Sequence, residues 1–252
     1  MTYFEGFVVA VPEGNKDAYT KHANSLVSLL REIGVRRQAE AWESDVSDGK
    51  NTDFRKAVDA KPGEKIVFAW FEYPDRAARD AANQRMMSDE RMAQMAAADV
   101  PFDAKRMILG GFQAVVEEGS GGGRYVDGIV VPVPTTARDE YARLAGQNAK
   151  VFREYGATRV VETLGDDVQH GKVTDFYRAV KAKDGETVAF SFIEWPDKAA
   201  RDQAWQKIMQ DQRMQHGGGL FDGSRMFWGG FDVVIDSAES SSSATQAAPL
   251  TA

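Results

Sequence analysis

The stretch YFEGFVVAVP at residues 3–12 returns as YVDGIVVPVP at residues 125–134. The alignment continues without a gap to Met92 over Met214, and 41 of the 90 aligned positions are identical. After a three-residue deletion, FDAKRMILGGF at residues 102–112 matches FDGSRMFWGGF at residues 221–231. A period of about 120 residues is the size of a domain, so the sequence indicates a tandem duplication rather than a solenoid of short repeats.

The repeat sets the domain boundaries. We assign residues 1–118 to the first repeat, 119–124 to a Gly/Ser-rich linker and 125–236 to the second repeat. The eight residues 117–124 that join the repeats span at most roughly 25 Å, so the two repeats must lie side by side. Residues 237–252 are rich in Ser, Ala and Thr and contain little to bury, which predicts a disordered tail.

Both repeats show the same succession of elements. In the first repeat, apolar and alternating runs predict strands at residues 3–11, 36–42, 65–73 and 106–116. Helical periodicity predicts helices at residues 17–33 and 75–92, and an extended piece is expected at residues 52–58. The order β-α-β-β-α-β is that of the ferredoxin-like unit.

The third strand is apolar on both of its faces. One face carries Ile66, Phe68 and Trp70, and the other carries Val67, Ala69 and Phe71. A strand of this kind is buried on both sides, and the helices of one repeat cover only one of them. We therefore predict an α+β fold in which the two sheets face each other as an intramolecular pseudo-dimeric α+β barrel, with the helices outside.

Composition excludes several classes of function. The net charge is −7, from 31 basic and 38 acidic residues, which disfavours binding to nucleic acid or to an anionic membrane. Cysteine is absent and histidine occurs three times, so we predict no metal site and no cofactor. We find no signal-peptide pattern and no apolar run of membrane-spanning length, so a cytoplasmic protein is expected.

Four motifs occur once in each repeat. They are DGKxTxFxxAV, GExxxF, PDxAARD and FDxxRMxxGGF, at residues 48–58, 63–68, 74–80 and 102–112 of the first repeat. The second repeat has His170 in place of the first aspartate. This set resembles the YbaA-like bacterial family, domain-of-unknown-function family 1428. The resemblance implies the dimeric α+β barrel superfamily, which includes small monooxygenases, haem-degrading and dismutase-like enzymes and non-catalytic binders, and it implies no particular reaction.

Polar residues shared by the repeats, together with two tryptophans of the first repeat, are the candidates for a ligand site. They are Glu40, Trp42, Trp70, Glu72, Arg106, Glu162, Glu194 and Arg225. A carboxylate on an apolar strand face can have a raised pKa and act as an acid or base. The alternative is structural, with Glu72 paired to Arg106 and Glu194 paired to Arg225.

The sequence leaves the function open between a few classes. The favoured hypothesis is a small-molecule binding protein for an apolar or aromatic ligand, with a cavity lined by Trp42, Trp70 and Phe68. The alternatives are a cofactor-free enzyme, such as a small monooxygenase or an isomerase-like protein using strand carboxylates, and a non-catalytic assembly module. Because the repeats differ in sequence, as at Asn83 and Trp205, we expect one preferred ligand site per chain. Whether the chain is an enzyme and whether it forms further homo-oligomers remain open.

Overall fold

The structure is a computed structural model that describes residues 1–97, 100–216 and 219–238. The first repeat consists of β1 (Tyr3–Pro12), α1 (Lys16–Ile33), β2 (Arg37–Asp45), α2 (Phe54–Ala57), β3 (Glu64–Tyr73), α3 (Arg76–Ser88), α4 (Glu90–Ala97) and β4 (Ile108–Gly119). The second consists of β5 (Tyr125–Pro134), α5 (Arg138–Glu154), β6 (Arg159–Asp167), α6 (Phe176–Ala179), β7 (Glu186–Trp195), α7 (Lys198–Ile208) and β8 (Phe227–Asp236). Residues 239–252 of the predicted tail lie outside the described residues.

The eight strands form one closed antiparallel barrel in the order β1-β3-β2-β8-β5-β7-β6-β4. Each repeat contributes four neighbouring strands, and the two repeats are joined where β2 pairs with β8 and β4 pairs with β6. Closure leaves no free sheet edge, because every strand has a partner on both sides. The predicted pseudo-dimeric α+β barrel is confirmed, with sheets that are hydrogen-bonded to each other at both edges.

A column of aromatic rings fills the barrel. The rings of Phe68 and Phe190 stack across the pseudo-twofold axis at a centroid distance of 4.4 Å and an angle of 2°. A Cβ at Gly6 would lie 2.9 Å from the Phe190 ring, and one at Gly128 would lie 2.7 Å from the Phe68 ring. Each repeat therefore supplies a glycine that makes room for the phenylalanine of the other repeat.

The expected cavity lined by Trp42, Trp70 and Phe68 is wrong. Phe68 and Trp70 are fully buried inside the barrel, whereas Trp42 lies on the outer face of the sheet with Tyr19 of α1. Trp70 itself stacks on Phe192 at 4.2 Å. The sheet separates the indole of Trp42 from the other two rings, so they cannot line one pocket.

One end of the barrel is closed by two short helices that the sequence had suggested as extended chain. Residues 52–58 contain α2, because the Asp53 carboxylate accepts hydrogen bonds from the backbone N–H groups of Lys56 and Gly49, at 2.7 and 2.9 Å. This capping bond fixes a helical turn. The turn places the buried Phe54 ring 5.9 Å from Phe68.

Two other predicted boundaries differ from the structure. The helix expected over residues 75–92 is divided at Asp89, whose extended backbone separates α3 from α4. The last strand of the first repeat begins at Ile108 instead of Arg106, because Asp103 caps a single 3-10 turn over residues 104–106. The side chain of Arg106 bonds back to that Asp103, at 3.0 Å.

Candidate functional site

The eight candidate residues occupy three separate places. Trp70, Glu72 and Glu194 lie at the end of the barrel interior opposite α2 and α6, whereas Glu40, Trp42 and Glu162 lie between the sheet and the long helices α1 and α5. Arg106 and Arg225 lie in the turns that precede β4 and β8. The structure therefore does not bring the eight residues together in one site.

Two arginines and two glutamates form a buried network at the barrel end, which we call the barrel-end cluster: Arg37, Glu72, Arg159 and Glu194. Arg37 donates to both carboxylate oxygens of Glu194, at 2.8 and 2.9 Å. Arg159 does the same to Glu72, at 2.7 and 3.1 Å. Each arginine is thus held in a bidentate pair by the glutamate of the other repeat, the strong geometry for this type of contact.

The barrel-end cluster has no open position for a ligand among the described residues. The side chain of Glu194 is fully buried, and it also accepts hydrogen bonds from the backbone N–H groups of Gly122 and Gly123 in the linker. Arg37 also binds Asp236, and Arg159 also binds Glu117. These acceptors outweigh the cost of burial and raise the pKa of Arg37 further above its usual range.

The predicted pairs Glu72–Arg106 and Glu194–Arg225 are wrong. Arg106 instead binds both oxygens of Glu64 at 2.7 Å, and Arg225 binds both oxygens of Glu186 at 2.6 and 2.7 Å. The physical reason is that the two glutamates of each strand lie at opposite ends of it. Glu64 and Glu186 begin these strands, next to the turns that carry the arginines, whereas Glu72 and Glu194 lie at the far ends.

Sequence reasoning missed Arg37 and Arg159, although a signal for them was present. They occupy equivalent positions in the two repeats, three residues before Glu40 and Glu162. Arg37 on β2 lies opposite Glu72 on β3, and Arg159 on β6 lies opposite Glu194 on β7. An arginine and a glutamate kept at matching positions of both repeats indicate ion pairing.

A second kind of shared arrangement lies between the sheet and the helices. Tyr19 on α1 donates to Glu40 on β2 at 2.7 Å, and Tyr141 on α5 donates to Glu162 on β6 at the same distance. We call these the tyrosine–glutamate pairs. Glu40 also accepts from the Gln38 amide at 3.0 Å. Neither carboxylate forms an ion pair with a residue that the structure describes.

Burial without a cation changes the acidity of these carboxyl groups. Desolvation raises the pKa of Glu40 to about 7, although the hydrogen bonds from Tyr19 and Gln38 oppose it. Burial also raises the pKa of Glu162, against hydrogen bonds from Ser191 and Tyr141. A carboxyl group that titrates near neutral pH can take up or release a proton, which is the chemistry of a general acid or base.

Replacing Glu40 by glutamine is expected to change how stability depends on pH. Below about pH 4.5 the carboxyl is protonated in both states, and its effect on the free energy of unfolding is constant. Between about 4.5 and 7 only the unfolded state loses the proton, so the free energy of unfolding of the wild type falls as pH rises, by up to about 3 kcal/mol. The Tm of Glu40→Gln relative to wild type should therefore rise between pH 5 and pH 8.

The control for this measurement is Glu13→Gln, because Glu13 is exposed. Its Tm difference from the wild type should stay constant over the same pH range. A Glu40→Gln difference that is also constant would show that Glu40 titrates at its ordinary pKa.

A groove opens on the outer surface of the second repeat, where α5, α6, β6 and β7 meet. Its volume is about 290 Å³, at the lower end of the range for small-molecule sites. We call it the second-repeat groove and define it by Pro134, Arg138, Leu164, Gly165, Tyr177 and Thr187. The Glu186 carboxylate also lines it, but both of its oxygens are bound to Arg225.

Larger side chains occupy the equivalent place in the first repeat. Trp42 stands where the second repeat has Leu164, and the Lys16 ammonium lies 5.4 Å from the centre of its ring. Glu43 stands where the second repeat has Gly165, and its carboxylate accepts from Arg55, from Lys65 and from the backbone N–H of Ile66. The two repeats are therefore unequal at this place, although the sequence suggested other positions as the source of inequality.

The first repeat has a groove in a different place. It has a volume of about 500 Å³ and lies against α1, lined by residues that include His22, Ser25 and Pro101. His22 has a lowered pKa because it is partly buried, and its ring lies 6.2 Å from Phe102. Phe102 separates this groove from Tyr19, whose ring is 5.8 Å away.

Residues 1–97, 100–216 and 219–238 contain no group of three or more His, Asp or Glu side chains arranged to hold a metal ion. Over the same residues, no helix is long and apolar enough to cross a membrane.

Comparisons with known proteins agree with this geometry. A family model described as "Protein of unknown function (DUF1428)" matches residues 2–104 and 124–223, one match per repeat. The uncharacterized protein YbaA of Escherichia coli strain K12 is 53% identical over 118 residues, which are 47% of this chain and 100% of that protein.

Two solved structures share the fold over nearly the whole chain. They are named "putative monooxygenase", from Fusobacterium nucleatum and Lactobacillus acidophilus, with TM-scores of 0.59 and 0.57 and identities of 10% and 8%. Each covers 93% of this chain, and the chain covers 93% and 95% of them. At this identity the likeness shows the fold alone, which is that of the dimeric α+β barrel proteins.

Proposed function

The chain belongs to the DUF1428 family of proteins of unknown function, and from that premise we propose that it binds a small molecule in the second-repeat groove, with one site per chain. The observation that carries this proposal is the inequality of the repeats. The groove is open where Leu164 and Gly165 stand, and its counterpart is filled where Trp42 and Glu43 stand.

The groove lies next to one of the tyrosine–glutamate pairs. Arg138 and Tyr141 are three residues apart on α5, and Leu164 and Glu162 are two residues apart on β6, so each pair shares a face of its element. Tyr141 and Leu164 pack in the same buried cluster. The Leu164 wall of the groove therefore packs with the tyrosine that donates to Glu162.

This neighbourhood favours a cofactor-free enzyme as the second candidate function. Glu162 is less deeply buried than Glu40, and its raised pKa suits it to exchange a proton with a bound molecule. The reaction class supported by these groups is proton transfer. The remaining hypothesis is a non-catalytic assembly module. The filled barrel interior supports it only in so far as the interior offers no ligand site, and it does not bear on the groove outside the barrel.

Other predicted properties remain proposals. Further homo-oligomerisation is supported by large apolar side chains on the surface, such as Leu109 and the equivalent Trp228, which are 42% and 51% exposed. The cytoplasmic location, the absence of a nucleic-acid partner and the domain boundaries stay predictions.

Filling the second-repeat groove is expected to abolish ligand binding. Leu164→Trp installs the residue of the first repeat and places an indole in the open volume. A library of small aromatic and aliphatic fragments should give binding signals in ligand-observed NMR with the wild type, at a stoichiometry of one per chain. Most of those signals should disappear with Leu164→Trp.

The matched control is Gln147→Ser, which also installs a first-repeat residue, on the exposed part of α5. It should leave the fragment signals unchanged. Signals that persist in Leu164→Trp, or a stoichiometry of two equal sites, would contradict the proposal.

A further inference from the structure

We propose that the molecule bound in the second-repeat groove is an aromatic carboxylate, a flat ring of about indole size that bears one anionic group. This inference rests on the proposed function, because it names the ligand class for the same groove. It is based on a comparison of the side chains that line the groove with the side chains at the equivalent positions of the first repeat.

The first repeat shows which group fits this position. Its Trp42 indole has the Lys16 ammonium at 5.4 Å on one side and the Tyr19 ring at 6.3 Å. The second repeat keeps both neighbours in kind, as Arg138 and Tyr141, but has Leu164 in place of the indole. Arg138 lines the groove without the ring that Lys16 contacts in the first repeat, so an aromatic ring supplied by a ligand would make that contact. Tyr141 itself is buried and packs with Leu164 in the wall of the groove.

The walls of the groove suit a flat apolar ring. Leu164 is buried and Pro134 is partly buried, and both present carbon atoms to the groove. Tyr177 replaces the first repeat's Arg55, so an aromatic wall stands where the first repeat has a guanidinium. The exposed His170 ring lies beside the Tyr177 ring, at a centroid distance of 4.9 Å.

The charges at the groove select an anion. Arg138 forms no ion pair with the residues that the structure describes, whereas the Glu186 carboxylate is neutralised by its bidentate contact with Arg225. The first repeat fills the matching place with the Glu43 carboxylate, and Gly165 leaves it empty of charge. The two cations that bind Glu43, Arg55 and Lys65, are replaced together with it, by Tyr177 and Thr187. Arg138 is therefore the cation that the second repeat keeps at the groove, with neither the aromatic ring nor the carboxylate of the first repeat beside it.

Other ligand classes fit less well. A cation would be repelled by Arg138, and a dinucleotide is too large for a volume of about 290 Å³. The single guanidinium of Arg138 matches a single carboxylate, whereas the Thr187 hydroxyl already donates to the Gly165 carbonyl at 3.2 Å.

The test uses indole-3-acetate as the probe, with neutral indole beside it, titrated into the full-length protein by ligand-observed NMR. Indole-3-acetate should bind at one site per chain, roughly tenfold more tightly than indole. Arg138→Gln should weaken indole-3-acetate by roughly tenfold and weaken indole by a clearly smaller factor, because indole loses only the cation–π contact. Lys16→Gln, the equivalent change in the first repeat, should alter neither.

The outcomes separate the ligand class from the proposed function. If indole-3-acetate does not bind, or binds equally to Arg138→Gln, the ligand class is wrong. If the fragment library still binds the wild type and is lost with Leu164→Trp, the groove is nevertheless a small-molecule site. A thermal melt of each variant identifies any that fails to fold, and Tyr177→Ala, which removes one wall, then replaces Leu164→Trp in the comparison.

Discussion

Arg37→Met is expected to destabilise the protein by about 3–5 kcal/mol. The Arg37 side chain is 7% exposed and binds Glu194, Glu72 and Asp236. Its removal leaves Glu194 and Asp236 buried without their main cation, and a buried uncompensated charge is costly. For a chain of this size the loss should lower the Tm by roughly 6–20 °C. Thermal and urea unfolding followed by circular dichroism measure it.

The control is Arg91→Met, because the Arg91 side chain is 55% exposed and pairs with Glu32 and Asp89 at the surface. Exposed pairs contribute about 1 kcal/mol or less. A loss in Arg37→Met no larger than in Arg91→Met would show that the barrel-end cluster is solvated and contributes little to stability.

The double variant Arg37→Met with Glu194→Met adds a second test of the same network. Removing both partners of a buried pair costs less than the sum of the two single changes, because no lone charge remains from that pair. Arg37 belongs to the first repeat and Glu194 to the second, so the coupling energy measures how strongly the barrel end joins the repeats.

Most of the fold could be predicted from the sequence because the relevant signals are local or duplicated. The alternation of Phe68 and Trp70 with Val67 and Ala69 showed that β3 is buried on both faces, and the short seam required the repeats to lie together. The helical turn at Phe54 was missed because aspartate is as common in β-turns as at helix N-termini. The Asp53 carboxylate in fact caps the turn by accepting a hydrogen bond from the backbone N–H of Lys56.

The partners of the charged residues could not be derived in the same way. Glu72 binds Arg159, 87 residues away, and this contact exists only because the barrel closes across the two repeats. Within the first repeat, the sequence hypothesis paired Glu72 with Arg106, although Arg37 lies directly opposite Glu72 on β2 and binds it at 3.2 Å. The direction of β3 places Arg106 at the other end of the strand, beside Glu64.

The second-repeat groove depends on several substitutions acting together. The exchange of Trp42 for Leu164 is visible in the alignment, as is that of Glu43 for Gly165. Nothing in the sequence indicates that Lys16 lies over the Trp42 ring, so the open volume beside Arg138 could not be foreseen. An open volume formed by the loss of side chains leaves no motif of its own.

Truncating either ring of the central stack, by Phe68→Ala or Phe190→Ala, is expected to cost about 3–5 kcal/mol. Both side chains are fully buried, and each also packs against the glycine strand of the other repeat. The stacked geometry adds about 0.5–1.5 kcal/mol beyond burial, so the double variant should lose less than the sum of the single losses by about that amount. Urea unfolding of the four proteins gives this cycle.

The same variants test whether the barrel unfolds as one unit. Phe68 lies in the first repeat and Phe190 in the second, yet they share one core with Phe54, Phe112 and Phe231. A loss at either ring should therefore lower a single calorimetric transition whose calorimetric and van't Hoff enthalpies agree. Leu109→Ala, at a side chain 42% exposed, should move that transition little. Two separate transitions, with only one of them lowered by each variant, would mean that the repeats are stable apart despite the ring stack between them.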